Sequence, residues 1–122
     1  MKFRTARHTD NLKKIIDFYC GILGLEVLGV FHDHDNYDGV FIGITGADWH
    51  LEFTVSDKPA QHSPDRDDLL VFYSKDEAEL KRVQQRFTTA GIPELKAENP
   101  YWEANGITYE DPDGYRIVLA KE

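Results

Sequence analysis

His50 and Glu52, within Trp49-His50-Leu51-Glu52-Phe53-Thr54, have types and a spacing suited to acid/base or ligand chemistry. The run is rich in β-formers, and residues two apart on a strand point to the same side of a sheet. If Glu52 faces a cavity, so does His50. An imidazole with a pKa near 6.5 could serve there as a general base or hydrogen-bond a ligand. A half-buried ring bonded to a neighbouring strand or to Glu52 explains it equally well. The same parity groups Arg4, Ala6 and His8, then Leu69, Val71 and Tyr73, then Arg116 with Val118. Tyr73 and Arg116 thereby join the ligand-contact candidates, against plainer roles in core and rim. Tyr101 and Trp102, in Asn99-Pro100-Tyr101-Trp102, could stack on a flat or cationic ligand, and ordinary packing of Trp102 is the competing reading.

Phe31-His32-Asp33-His34-Asp35-Asn36-Tyr37-Asp38 also offers donors that could hold a metal. Alternate imidazoles on an exposed connection bind metals weakly unless further ligands converge, so a solvated connection is the expectation. Cys20 is the single cysteine, which excludes an internal disulfide and a thiolate cluster. It sits in an apolar helical pattern and reads as a packed thiol.

With 22 acidic against 14 basic residues the formal net charge is −8, and the Lys and Arg residues form no stripe. That balance argues against nucleic acid as a partner. No apolar run approaches the roughly 20 residues of a membrane span, and MKFRTARHTDNLKK lacks the apolar core of a secretory signal. A cytoplasmic protein without a membrane partner is the expectation.

The elements that must position these residues occur twice. Leu12, Ile15, Ile16, Tyr19 and Leu23 have helical spacing, with Thr9 or Asp10 available as a cap and Gly21 and Gly24 to stop the helix. Phe3 to His8 precedes it as a strand and Leu25 to Leu28 follows as an extended piece. Gly39 to Ile44 and Trp49 to Thr54 then form a hairpin across Thr45-Gly46-Ala47-Asp48. In the second half Leu69 to Tyr73 is a strand, Ser74-Lys75-Asp76-Glu77 a capping box, and Leu80, Val83, Phe87 and Ala90 the apolar stripe of a helix that Gly91 ends. Gly106 to Glu110 and Tyr115 to Leu119 form a hairpin across Asp111-Pro112-Asp113-Gly114. The expected fold is α+β: two tandem βαβββ modules, about 1–57 and 68–122, joined by a linker at about 58–67 into one domain. Each half is too small for a stable core alone, so the two sheets are expected to surround a shared concave cavity.

Asp10-Asn11-Leu12 through Phe18-Tyr19, followed by Ile22-Leu23-Gly24-Leu25, resembles the opening motif of the vicinal oxygen chelate superfamily, and Glu110-Asp111-Pro112-Asp113-Gly114-Tyr115 resembles its closing turn. With the repeat, the resemblance covers nearly the whole chain. Members include glyoxalase I, extradiol dioxygenases, fosfomycin-modifying enzymes, and antibiotic-binding proteins of the bleomycin-resistance type, so fold alone does not choose the chemistry. The resemblance places the loop of Tyr101 and Trp102 near the cavity mouth, and it implies a homodimer.

The enzymes of the superfamily take metal ligands from the first and last strand of each module. Carried onto this chain, those positions are Arg4, Glu52, Leu69, with Asp68 the alternative if the register differs by one, and Val118. Of the four aligned positions only Glu52 can ligate, and a guanidinium at the first position repels a cation while it can pair with Glu52. The expectation is therefore a small-molecule binding protein without a metal cofactor, which sequesters an aromatic or cationic compound such as an antibiotic. Its ligand contacts would come from Arg4, His50, Glu52, Tyr73, Tyr101, Trp102 and Arg116. The alternative is a lyase, isomerase or dioxygenase with a displaced metal site at Glu52 and His50, or with metal-free acid/base chemistry.

Overall fold

The apolar spacing of Leu12, Ile15, Ile16 and Tyr19 does produce a helix, in a computed structural model that describes residues 1–122, but its pitch changes midway. α1 (Leu12–Ile16) runs directly into a π-helical segment, Asp17–Ile22. The cap is Asn11, whose side chain accepts from the Lys14 N–H at 3.1 Å. Thr9 and Asp10 are committed elsewhere: Thr9 N–H donates to the Thr54 carbonyl at 2.8 Å, and the Asp10 carboxylate accepts from Ala60 N–H at 2.8 Å. Gly21 lies inside the π-helical segment; the stop is made by Gly24, whose φ of 97° is costly for any residue with a Cβ.

Two compact units divide the chain, Met1–Gln61 and His62–Glu122. The first holds β1 (Phe3–His8), α1, β2 (Glu26–His34), β3 (Tyr37–Gly43) and β4 (Trp49–Val55), in a sheet of order β1-β4-β3-β2. β1 and β4 are parallel, while β4–β3 and β3–β2 are antiparallel. Val40, Ile42, Leu51 and Phe53 are buried with Ile15 and Tyr19 of the helical segment, and the Tyr19 and Phe53 rings lie 5.2 Å apart. Alternation sends Phe41, His50 and Glu52 to the other face. The His/Asp-rich stretch is less a loop than a hairpin tip. β2 and β3 extend to His34 and Tyr37 around Asp35 and Asn36, whose φ values of 52° and 70° suit a tight two-residue turn.

The second unit holds β5 (Leu69–Ser74), α2 (Glu77–Thr89), α3 (Pro100–Asn105), β6 (Ile107–Glu110) and β7 (Arg116–Lys121), with sheet order β5-β7-β6. β5 and β7 are parallel, and the piece before the hairpin makes one bridge, Leu95 to Thr108. The α2 cap is Asp76, which accepts from Glu79 N–H at 2.9 Å while the Glu79 carboxylate accepts from Lys75 N–H at 2.9 Å. Ser74, the expected start of the capping box, instead ends β5 and is buried. Val83 and Phe87 are the buried positions of α2, and Phe87 stacks on Tyr109 at 4.1 Å. In the closing turn the Asp111 carboxylate accepts from the N–H groups of Asp113 and Tyr115, and Gly114 takes a φ of 89°.

The expected linker is fastened on each side to its own unit. Lys58 offers its carbonyl to His8 and Ala60 its N–H to Asp10, whereas His62 meets Asp113 and Tyr115 and Arg66 pairs with Glu98 at 3.1 Å. The modules also repeat in register. Arg4 lies opposite His50 and Ala6 opposite Glu52; Leu69 lies opposite Arg116 and Val71 opposite Val118. No helix is long and apolar enough to cross a membrane.

Gly106, between α3 and β6, has no room for a side chain. A Cβ there would strike the Val118 side chain, approach the Leu119 carbonyl at 3.2 Å and meet the Trp102 ring at 3.4 Å. Gly106→Ala should therefore destabilise the protein by about 1–3 kcal/mol, the usual cost of overpacking. Urea unfolding measures this, and an unchanged midpoint would show that α3 yields freely.

Candidate functional site

On the face of the first sheet opposite α1, three strands converge on one guanidinium. β1 supplies Arg4, β4 supplies His50 and Glu52, and β3 supplies Phe41 in register with Glu52. Arg4 Nε donates to His50 Nε2 at 2.8 Å, which requires that nitrogen to be unprotonated and the ring proton to sit on Nδ1. The guanidinium carbon lies 4.8 Å from the Phe41 ring centre, and the Phe41 and His50 rings meet edge-to-face at 5.7 Å. His50 is buried, and its pKa is held below the ordinary 6.5, first by that burial and then by the charges of Arg4 and Lys2, with Glu52 opposing. It is therefore a neutral acceptor at pH 7.

The expected pair of Arg4 with Glu52 forms, but only as a long single contact. Arg4 Nη1 approaches Glu52 Oε1 only to 3.9 Å, and the two side chains are 51% and 17% exposed. The imidazole takes the short bond because Arg4 lies directly opposite His50, whereas Glu52 lies opposite Ala6, two residues further along. His8, on the same strand, bonds the Thr54 hydroxyl at 2.9 Å and the Lys58 carbonyl at 3.0 Å, a structural use. At the hairpin tip, His32 pairs with Asp38 at 2.8 Å.

Three of the remaining nominated residues meet in the second unit. Tyr73, Tyr101 and Trp102 line one groove of about 390 Å³ with Glu77, Leu80 and Lys121 among the other walls. α3 brings Tyr101 and Trp102 there because Asn99 caps it, accepting from Tyr101 N–H at 2.9 Å, with Pro100 in its first turn. Arg116 stands apart: it is buried, and its Nη1 donates to the Lys96 carbonyl at 3.0 Å, so its charge holds main chain. Sequence reasoning missed Phe41, Glu77 and Lys121. Strand parity within Gly39-Val40-Phe41-Ile42 could have found Phe41; nothing local marks Glu77 or Lys121.

The residues present do not fit a metal. Leu69 and Val118 carry no donor, and nowhere are three or more His, Cys, Asp or Glu side chains grouped to hold an ion. Glu52 is a lone ligating carboxylate beside a permanent cation.

Residues 3–54 match the YycE-like N-terminal domain and residues 67–121 the YycE-like C-terminal domain. YycE of Bacillus subtilis strain 168 is 45% identical over 122 residues, spanning 97% of this chain and 86% of that protein. The chain belongs to the YycE-like family, within the vicinal oxygen chelate superfamily. The crystal structure of B. subtilis YycE superposes with a TM-score of 0.90 at 43% identity, covering 99% of this chain and 89% of that one. Leishmania major glyoxalase I shares the fold at a TM-score of 0.75 and 23% identity, over 98% of this chain and 84% of its own. TnmS3, an antibiotic binding protein from Streptomyces sp. CB03234, does so at 0.72 and 18%, over 99% and 94%. Antibiotic-binding and resistance proteins thus stand among its structural neighbours beside an enzyme.

Coupling energies should follow the distances. A double-mutant cycle of Arg4 with Glu52 should give no more than the roughly 0–1 kcal/mol of an exposed ion pair, less than a cycle of Arg4 with His50. An Arg4–Glu52 coupling near 3 kcal/mol would mean that the carboxylate, and not the ring, is the main partner. Stability should also depend on His50 titration. Between its lowered folded pKa and its unfolded value of 6.5, the unfolded chain binds a proton that the folded chain refuses. That stability is whole above 6.5 and lost as pH falls through the folded value. Denaturation midpoints followed downward from pH 7 should fall less steeply for His50→Gln than for the parent; parallel curves would contradict the assignment.

Proposed function

We propose that this protein binds a small molecule without a metal and sequesters an aromatic compound of antibiotic type. The observation that carries this reading is the 2.8 Å bond from Arg4 to His50 Nε2. It turns the one imidazole lone pair beside Glu52 onto a guanidinium, so the set that would have to form a displaced metal site is already engaged by a cation. A divalent ion there would face charge repulsion and would find too few donors. The same bond weakens the case for His50 as a general base, because its acceptor nitrogen is occupied.

A groove lined by Tyr73, Tyr101 and Trp102 supports an aromatic ligand, and its volume of about 390 Å³ lies in the range of small-molecule sites. The likeness to TnmS3, an antibiotic binding protein, agrees with this reading. A homodimer, implied by the superfamily resemblance, belongs to the same proposal.

Elemental analysis of protein purified without chelator should find well under one equivalent of zinc, nickel, iron or manganese, and light scattering of the same sample should give twice the 14.0 kDa chain mass. Arg4→His, which replaces the cation by an imidazole opposite His50, should raise zinc uptake above the parent. One equivalent of metal in the parent, lost in Glu52→Gln, would restore the enzyme reading.

A further inference from the structure

Two charged side chains of the second-unit groove have no partner. Glu77 and Lys121 both line it, and neither makes an ion pair or hydrogen bond. They rise from neighbouring points: Lys121 lies opposite Ser74 across the β5–β7 pairing, and Glu77 opens α2 three residues after Ser74. Beside them stand Tyr73 and Tyr101, each 60% exposed, and Trp102, whose ring is seated over Gly106. Adjoining exposed rings rimmed by charged side chains are the make-up of a ligand-binding groove.

We infer that this groove is a site for a zwitterionic aromatic molecule, with a neighbouring ammonium and carboxylate at one end and a flat ring at the other. The inference deepens the small-molecule reading above and rests on it. A purely cationic ligand would meet Glu77 and the rings but be opposed by Lys121. A purely anionic one would meet Lys121 and be opposed by Glu77. A ligand bearing both charges close together satisfies each head, while its ring lies against the tyrosines and Trp102. The rings add affinity without fixing the ligand's orientation; the two heads fix it.

The test uses the full chain, labelled with ¹⁵N, titrated with L-tryptophan, tryptamine, indole-3-propionate and indole while the Trp102 indole and the Tyr101 and Lys121 amide signals are followed. L-tryptophan should bind at least about tenfold more tightly than either singly charged analogue, the scale of one charge-assisted hydrogen bond. Glu77→Gln should erase its advantage over indole-3-propionate, and Lys121→Met its advantage over tryptamine. Both positions are exposed, so the variants should keep the parent's fold and spectra. Tryptamine binding as tightly as L-tryptophan would make this a cation site and overturn the inference. Equal shifts with uncharged indole, or no shift of the groove signals with any probe, would overturn it too. Metal content reads the metal-free part of the earlier proposal separately: a metal-bearing protein that still selects L-tryptophan would defeat that part and leave small-molecule binding in this groove standing.

Discussion

Everything chemical in each unit depends on the parallel pairing of its first and last strands. β1 lies on β4, and β5 on β7, although the first pair is separated by the helical segment and two strands and the second by two helices and one strand. Parallel neighbours cannot be joined by a tight turn, so the intervening helices and strands are the connection that makes the pairing possible. Once it forms, the pleat decides which side chains share a face. In the first unit that places Arg4 opposite His50 with Glu52 one step on; in the second it places Leu69 opposite Arg116 with Val118 one step on. A slip of β4 by one residue would turn His50 and Glu52 into the core and Leu51 and Phe53 out of it.

The two units use this common frame in opposite ways. In the first, the face is polar, and its cation is held by a ring nitrogen, an aromatic face and a distant carboxylate. Arg4 remains half exposed, so solvent screens its charge, and the geometry depends more on the imidazole and Phe41 than on ion pairing. Burial keeps His50 neutral, which is what lets it accept from Arg4. Protonation would turn acceptor into donor and set two cations against each other.

In the second unit Leu69 and Val118 make two of the corresponding positions apolar, Arg116 takes the place of His50, and the aromatic groove lies at the strand ends. Val118 is fully buried, and the absence of a side chain at Gly106 allows Val118 and Trp102 to close over that backbone. Arg116, the one charged residue facing that way from β7, is anchored to the Lys96 carbonyl and helps fix the segment leading to α3. The free charges lie instead where β5 passes into α2 and β7 ends, beside the aromatic residues of α3.

By itself the sequence determined the α+β class, the repeat, the helix stops at Gly24 and Gly91, the closing turn at Asp111–Gly114, and the poverty of metal ligands at Arg4, Leu69 and Val118. These follow from local physics: apolar periodicity, positive-φ glycines, and side-chain donor chemistry, with the superfamily resemblance supplying the positions to inspect. Capping was legible only in kind. Asn11 and Asp76 took the roles assigned to Thr9 or Asp10 and to Ser74, because backbone and side-chain bonds to distant segments had claimed those neighbours. Strand parity grouped His50 with Glu52 and Arg4, but parity gives a face and not a partner. Only the tertiary structure decided that Arg4 bonds the ring and stands 3.9 Å from the carboxylate, that Phe41 completes the set, and that Arg116 is spent on main chain. Glu77 and Lys121 came to one groove by the same route, since their nearness is created by the β5–β7 pairing between segments more than forty residues apart in the chain.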